Sequence, residues 1–167
     1  PDPCRDRSEL RHASGIYDRV VNAVDAAVEV AKAHGVACER PIVLGEAWHV
    51  LVHLSPSPVV ARVTSGAPGV NPADVDQELW VARHAVRAGA PVVRPTDLLP
   101  PGPHHHGGHT IVFWRYLVRD GTVDASAAGR GLRALHDSLA DYDGELPRAG
   151  RADEVRAMLD PFGRSDD

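Results

Sequence analysis

Three short β-branched runs follow one another with only turns between them: "PIVLG" (41–45), "WHVLVHL" (48–54) and "PVVARVT" (58–64). This succession constrains the chain more than any other feature. Parallel neighbours need a crossover connection of about a dozen residues or more, and no gap here is that long. An antiparallel meander is the arrangement that fits. The link "SPSP", Ser55 to Pro58, supplies fixed φ angles and no ladder donors at its prolines, so it reads as a hairpin connection.

The flanking segments follow a helical period. Ile16, Val20, Val24, Ala27 and Ala31 recur along an alanine-rich stretch from Ser14 to about His34, with Gly35 placed as a C-terminal cap. Residues 1–13 are polar and are expected to fray. After the loop "SGAPGVNP", Asn71 is a suitable N-cap and Pro72 suits the first helical position. That helix runs to about Ala88 with Val75, Leu79, Ala82 and Val86 on one face. "PVVRPTDLL" (91–99) reads as a strand start that Pro95 confines to an edge or a bulge. "PPGPHHHGG" (100–108) reads as a flexible turn, and "HTIVFWRYL" (109–117) as a strand. A linker then leads to a helix over about 126–141, its stripe formed by Ala128, Leu132, Leu135 and Leu139, with a last short helix over 151–159. The expectation is an α+β fold in which five antiparallel strands carry one inserted helix on one face.

Composition excludes several function classes. Formal net charge is −5, and no basic stripe with interleaved aromatics occurs, which argues against a nucleic-acid partner. No apolar run approaches the roughly 18 residues of a membrane helix. Cys4 and Cys38 form no metal or redox spacing and read as free thiols of a cytoplasmic protein. Lys32 is the sole lysine, so a cationic role inside the fold falls to arginine. The arginine and alanine bias suits a GC-rich bacterial genome.

Arg62 stands inside an apolar run. Val59, Ala61 and Val63 alternate with Val60, Arg62 and Thr64, which puts the guanidinium on the second sheet face. One reading is an edge arginine reaching for water. The other gives it an anionic partner, and Glu78, beside Leu79 on the following helix, is positioned to be one. A strand cation held by a helix glutamate is how kinase-type folds present a positive charge to nucleotide phosphates.

With these pieces in order, the chain resembles the N-terminal half of the aminoglycoside phosphotransferase/choline-kinase-like family, a branch of the protein-kinase-like fold. The matching segments are "VLGEAWHVLVHLSPSPVVARV" (43–63), "QELWVARHAVRAGAPVVRP" (77–95), "TIVFWRYL" (110–117) and "AGRGLRALHDSL" (128–139). The resemblance implies an N-terminal tail and helix over 1–35, a kinase-like N-lobe over 36–118, and a hinge with the first helices of a C-lobe over 119–167. It implies ATP as the bound cofactor, with Arg62 at the phosphates, Glu78 holding Arg62, and backbone of Arg115, Tyr116 and Leu117 at the adenine. Magnesium would accompany the nucleotide in a complete protein, and the acceptor would be a hydroxyl of a sugar, aminoglycoside or amino alcohol.

Two departures bear on function. The family's H-x-D-x-x-x-x-N loop and later metal-binding aspartate do not occur in these residues, so the expectation is a fragment that is inactive alone. The phosphate-covering turn carries Gly45 and then Glu46-Ala47-Trp48, a poorer anion cradle than a run of glycines. The alternative is therefore a non-catalytic, kinase-like binding or regulatory module. "HD" at His136-Asp137 lies within a helix, where His136 reads as lining the core, and "DYD" (141–143) lacks a preceding strand. Neither is taken as catalytic. His104, His105, His106 and His109 could gather a metal ion only if the turn held them in ligand order, which its glycines do not favour. Trp48, Trp80 and Trp114 read as core or lobe-interface anchors.

Overall fold

The computed structural model describes residues 3–47, 49–65, 72–118, 121 and 124–144. Helix α1 (Pro3–Ala33) leads into strands β1 (Cys38–Glu46), β2 (Val50–Pro56) and β3 (Val59–Ser65). Helix α2 (Pro72–Arg87), strands β4 (His104–His106) and β5 (His109–Arg115), and helix α3 (Ala125–Ser138) complete the order. Every strand pairing is antiparallel, and the sheet order is β1-β2-β3-β5-β4. The architecture is α+β, with five strands and the meander over β1–β3.

Alternation along the strands assigns each helix its face. Val50, Val52, Leu54, Val59, Ala61, Val63, Ile111 and Phe113 form one buried cluster with Ala23, Ala26, Ala27, Val30 and Ala31 of α1. Four of the five buried α1 residues in this cluster are alanine, which leaves little side-chain volume at those points of the helix–sheet contact, while Val20, Val24 and Val28 pack at its margin. On the opposite face Val75 and Leu79 of α2 pack against Val112 and Trp114 of β5. Helices therefore cover both faces, where the sequence led us to expect one packed helix on one face. The alanine-rich period shows that α1 is amphipathic but not which sheet face it covers.

Three further expectations are corrected. α1 is helical from Pro3, well ahead of Ser14. Residues 91–99 form no strand: Pro95 makes a single bridge to Trp114, and the chain then follows the β5 edge through Thr96 N–H to Phe113 O (3.1 Å) and Phe113 N–H to Pro101 O (2.8 Å). The fourth strand is instead His104–His106, turned onto β5 by Gly107 and Gly108 at φ +55° and +77°. Two consecutive positive φ values are what a tight hairpin requires. Gly102 fixes the approach to that hairpin. Its φ is +108°, and a Cβ there would sit 2.7 Å from the Ile111 carbonyl oxygen.

Helix α3 has no buried residue, and Leu132 is 55% exposed. Of the expected buried stripe, Ala128 and Leu132 are exposed and Leu135 and Leu139 only half-buried, and His136 is exposed rather than core-lining. α3 meets α2 near its C-terminal end, where His84 Nε2–H donates to Ser138 O at 2.9 Å and the His84 ring lies edge-on to Tyr142. The expected N-cap Asn71, the residue Trp48 and the helix over 151–159 lie outside the described residues. No helix among the described residues is long and apolar enough to cross a membrane.

Candidate functional site

The register sets residues of β1, β2, β3 and β5 in transverse rows on the face that carries α2. Ile42, His53, Val60 and Trp114 form one row, and Gly45, Leu51, Arg62 and Val112 the row two residues further on. α2 covers the β5 end of these rows through Val75 and Leu79. The β1–β2 end is open: Leu51 is 36% exposed, and Ile42, His53 and Val60 are half-buried. On the other face the β2, β3 and β5 residues Val50, Val52, Leu54, Val59, Ala61, Val63, Ile111 and Phe113 are fully buried. This face therefore combines an apolar, half-wet floor with a cation at the helix border.

Arg62 is that cation. Its Nη2 donates to Glu78 Oε2, joining β3 to α2. The guanidinium side chain is 17% exposed and the glutamate 43%, so the charge is held mostly inside while its partner reaches solvent. A guanidinium carries five N–H donors, and one carboxylate contact does not engage them all. Arg62 Nε is buried without a hydrogen-bond partner among the described residues. A buried charged donor left unsatisfied costs free energy and is the kind of group a ligand oxyanion or a water satisfies.

Beside this pair, the His53 and Tyr116 rings stack with centroids 3.8 Å apart and planes 9° from parallel. His53 Nε2–H donates to Ser57 O at 3.1 Å, which fixes the ring and its tautomer. His49 Nδ1 and Thr64 Oγ1 share a 2.8 Å hydrogen bond on the same face. Sequence reasoning placed Val60 on the face of Arg62 but singled out none of Ile42, Leu51 and His53. Their shared face with Arg62 could have been found by extending the strand alternation across the meander, given the register.

The three residues expected at an adenine differ in what they can offer. Arg115 N–H donates to Arg94 O at 2.9 Å, and Tyr116 N–H donates to Pro58 O at 2.9 Å. Both donors are thus committed within the chain. Leu117 N–H has no partner among the described residues, and its side chain is 58% exposed.

The histidine run does not converge. Strand alternation sends His105 away from His104 and His106, and each finds a different neighbour. His104 Nε2–H donates to Pro100 O (2.6 Å), His106 Nε2–H to Glu29 Oε2 (2.5 Å), and His105 Nδ1 lies 3.3 Å from Thr110 Oγ1. Among the described residues no three His, Cys, Asp or Glu side chains are grouped so as to hold a metal ion. Burial, and then His106, hold the His109 imidazole below its usual pKa. Compared with models of known families and with curated proteins, the chain matches none, so the geometry of this face carries the functional argument.

Proposed function

We propose that the chain is the nucleotide-binding lobe of an ATP-dependent small-molecule phosphotransferase. The observation that carries this reading is the Arg62–Glu78 pair, with Arg62 Nε buried and unpartnered beside an open apolar floor. In this reading Glu78 orients the guanidinium, whose remaining donors take phosphate oxygens in charge-assisted hydrogen bonds. The floor of Ile42, Leu51 and Val60 receives the flat base, and Leu117 N–H is the hinge donor left for it. The fold then corresponds to a kinase-like N-lobe, and the hydroxyl acceptor is read by residues outside this lobe. In this reading magnesium accompanies the nucleotide, held by its phosphates. The chain binds nucleotide without transferring phosphate, since transfer requires a positioned metal and nucleophile.

The test is thermal unfolding of the chain with Mg-ATP, Mg-ADP or neither. Specific binding raises the midpoint in a concentration-dependent way, and Arg62→Ala removes the rise. No rise at millimolar nucleotide sinks the reading. It would leave the second one, a non-catalytic kinase-like binding module, which the acidic, glycine-poor segment Gly45-Glu46-Ala47 favours.

A further inference from the structure

A second concentration of positive charge lies away from the Arg62 pair. A cleft of about 400 Å³ is lined by Arg83, Val86 and Arg87 at the C-terminal end of α2, by the β5-edge segment 94–97, by Pro101, and by Arg115 at the end of β5. Four arginines from three chain segments thus line one concavity. The carboxylate among its lining residues is Asp97, so four positive charges stand against one negative. Among the described residues, none of the four arginines forms an ion pair. Arg83 rests over the exposed Trp80 ring, 5.8 Å from its centroid.

Two of these juxtapositions work against folding. Arg83 and Arg87 are four residues apart on one helix, the spacing at which like charges repel. Arg94 and Arg115 are opposite one another in the antiparallel pairing that includes Pro95 and Trp114, and like charges directly opposite are also unfavourable. The helix C-terminus accounts for a preference for cations at Arg83 and Arg87. It does not account for Arg94 and Arg115, which belong to other segments. Acidic residues outnumber basic ones in this chain, 23 to 18, so a random surface would not be expected to gather four arginines around one hollow.

We propose that this cleft binds a small polyvalent oxyanion, a polyphosphate or polycarboxylate, gripped by Arg83, Arg87, Arg94 and Arg115. Guanidinium forks match both anion types bidentately, and the cleft volume suits a small molecule. The Thr96 hydroxyl, which accepts from Leu98 N–H at 3.3 Å, keeps its proton for donation to the same ligand. The site shares no residue with the Arg62–Glu78 pair and stands whether or not that pair binds nucleotide.

The test is calorimetric titration of the full chain with tripolyphosphate and, separately, with citrate, in the wild type and in Arg87→Ala, Arg94→Ala, Arg62→Ala and Arg130→Ala. At least one probe is expected to bind with one-to-one stoichiometry. Arg87→Ala and Arg94→Ala should each weaken it by about tenfold, the size of one charge-assisted contact. Arg130→Ala should leave it unchanged, Arg62→Ala should remove no more than any additional tripolyphosphate held at the proposed nucleotide site, and the tighter probe identifies the anion class. Without anion, the Arg94 variant should melt no lower than the wild type, because it relieves a repulsion. Binding of neither probe overturns the proposal. So does binding that survives both cleft substitutions, or that Arg62→Ala alone abolishes.

Discussion

Arg62 on β3 and Glu78 on α2 are joined by a hydrogen bond in which the buried member carries the charge that cannot be shed. Neutralising a guanidinium by deprotonation is not available to a protein. The pair therefore behaves asymmetrically on substitution. Glu78→Ala strands a mostly buried cation and should cost about 1–2 kcal/mol, below the range for fully buried pairs because Glu78 is half in water. Arg62→Met removes the charge itself, leaves the glutamate free to hydrate, and should cost less. Denaturant unfolding of the two variants checks the order. A larger loss for Arg62→Met would mean that the arginine contributes chiefly through packing of its stem.

Leu117 should separate backbone from side-chain recognition. Leu117→Ala removes apolar surface and keeps the N–H, whereas Leu117→Pro also removes the N–H. If that donor meets a nucleotide base, the proline variant should bind Mg-ATP about tenfold more weakly than the alanine variant, the size of one good hydrogen bond. Equal affinities would take the hinge backbone out of the site.

The meander and the Arg62–Glu78 pairing were legible because both rest on short-range rules. Period-two alternation assigns Arg62 to a face, and helical spacing puts Glu78 beside the Leu79 stripe that packs on that face. β4 was not legible, because "HHHGGH" reads as polar and flexible by composition. Its informative signal was the Gly107-Gly108 pair, a dipeptide that supplies two positive φ values between strands. The segment 91–99 misled in the opposite direction. Val92 and Val93 have strand propensity, yet the prolines at 91 and 95 limit the segment to single contacts along an edge. The arginine cleft could not be read at all, since Arg83, Arg87, Arg94 and Arg115 become neighbours only once α2, the edge segment and β5 are docked. For α3, amphipathicity showed a stripe but could not show whether anything in the described chain covers it.

The buried alanines of α1 predict intolerance to larger side chains along that stripe. Ala27 is fully buried against the strands. Ala27→Leu should destabilise by about 1–3 kcal/mol through overpacking, although leucine is as good a helix former as most. The exposed position Asn22 on the same helix is the control, and Asn22→Leu should change stability by less than about 0.5 kcal/mol. A drop in the unfolding midpoint at Ala27 with the denaturant slope unchanged is the expected outcome.

Gly102 predicts a backbone effect rather than a packing one. At φ +108° only glycine is comfortable, and the Ile111 carbonyl occupies the place a Cβ needs. Gly102→Ala should cost about 1–3 kcal/mol, and hydrogen exchange should show the loss first at Phe113 N–H, whose acceptor Pro101 O precedes the glycine. Gly121, also at positive φ but with no described residue within 4 Å of a Cβ, should tolerate alanine better.

His109 predicts the direction in which acid acts on this fold. Burial, and then the neighbouring His106, hold its pKa below the usual 6.5. In the folded protein the ring stays neutral at a pH where the unfolded chain already takes up the proton. The unfolded state then binds more protons, so stability falls as pH drops. The contribution is fully present above about pH 6.5, the unfolded value, and declines below it until the folded ring also protonates. A His109→Gln variant removes this proton uptake. Its midpoint between about pH 8 and pH 5 should decline less steeply than that of the wild type, and the difference should vanish at the alkaline end once the constant cost of the substitution is subtracted. Parallel curves for the two proteins would assign the acid sensitivity to other groups. Proton NMR of the His109 ring supplies the direct check, with a titration midpoint expected on the acid side of the usual 6.5.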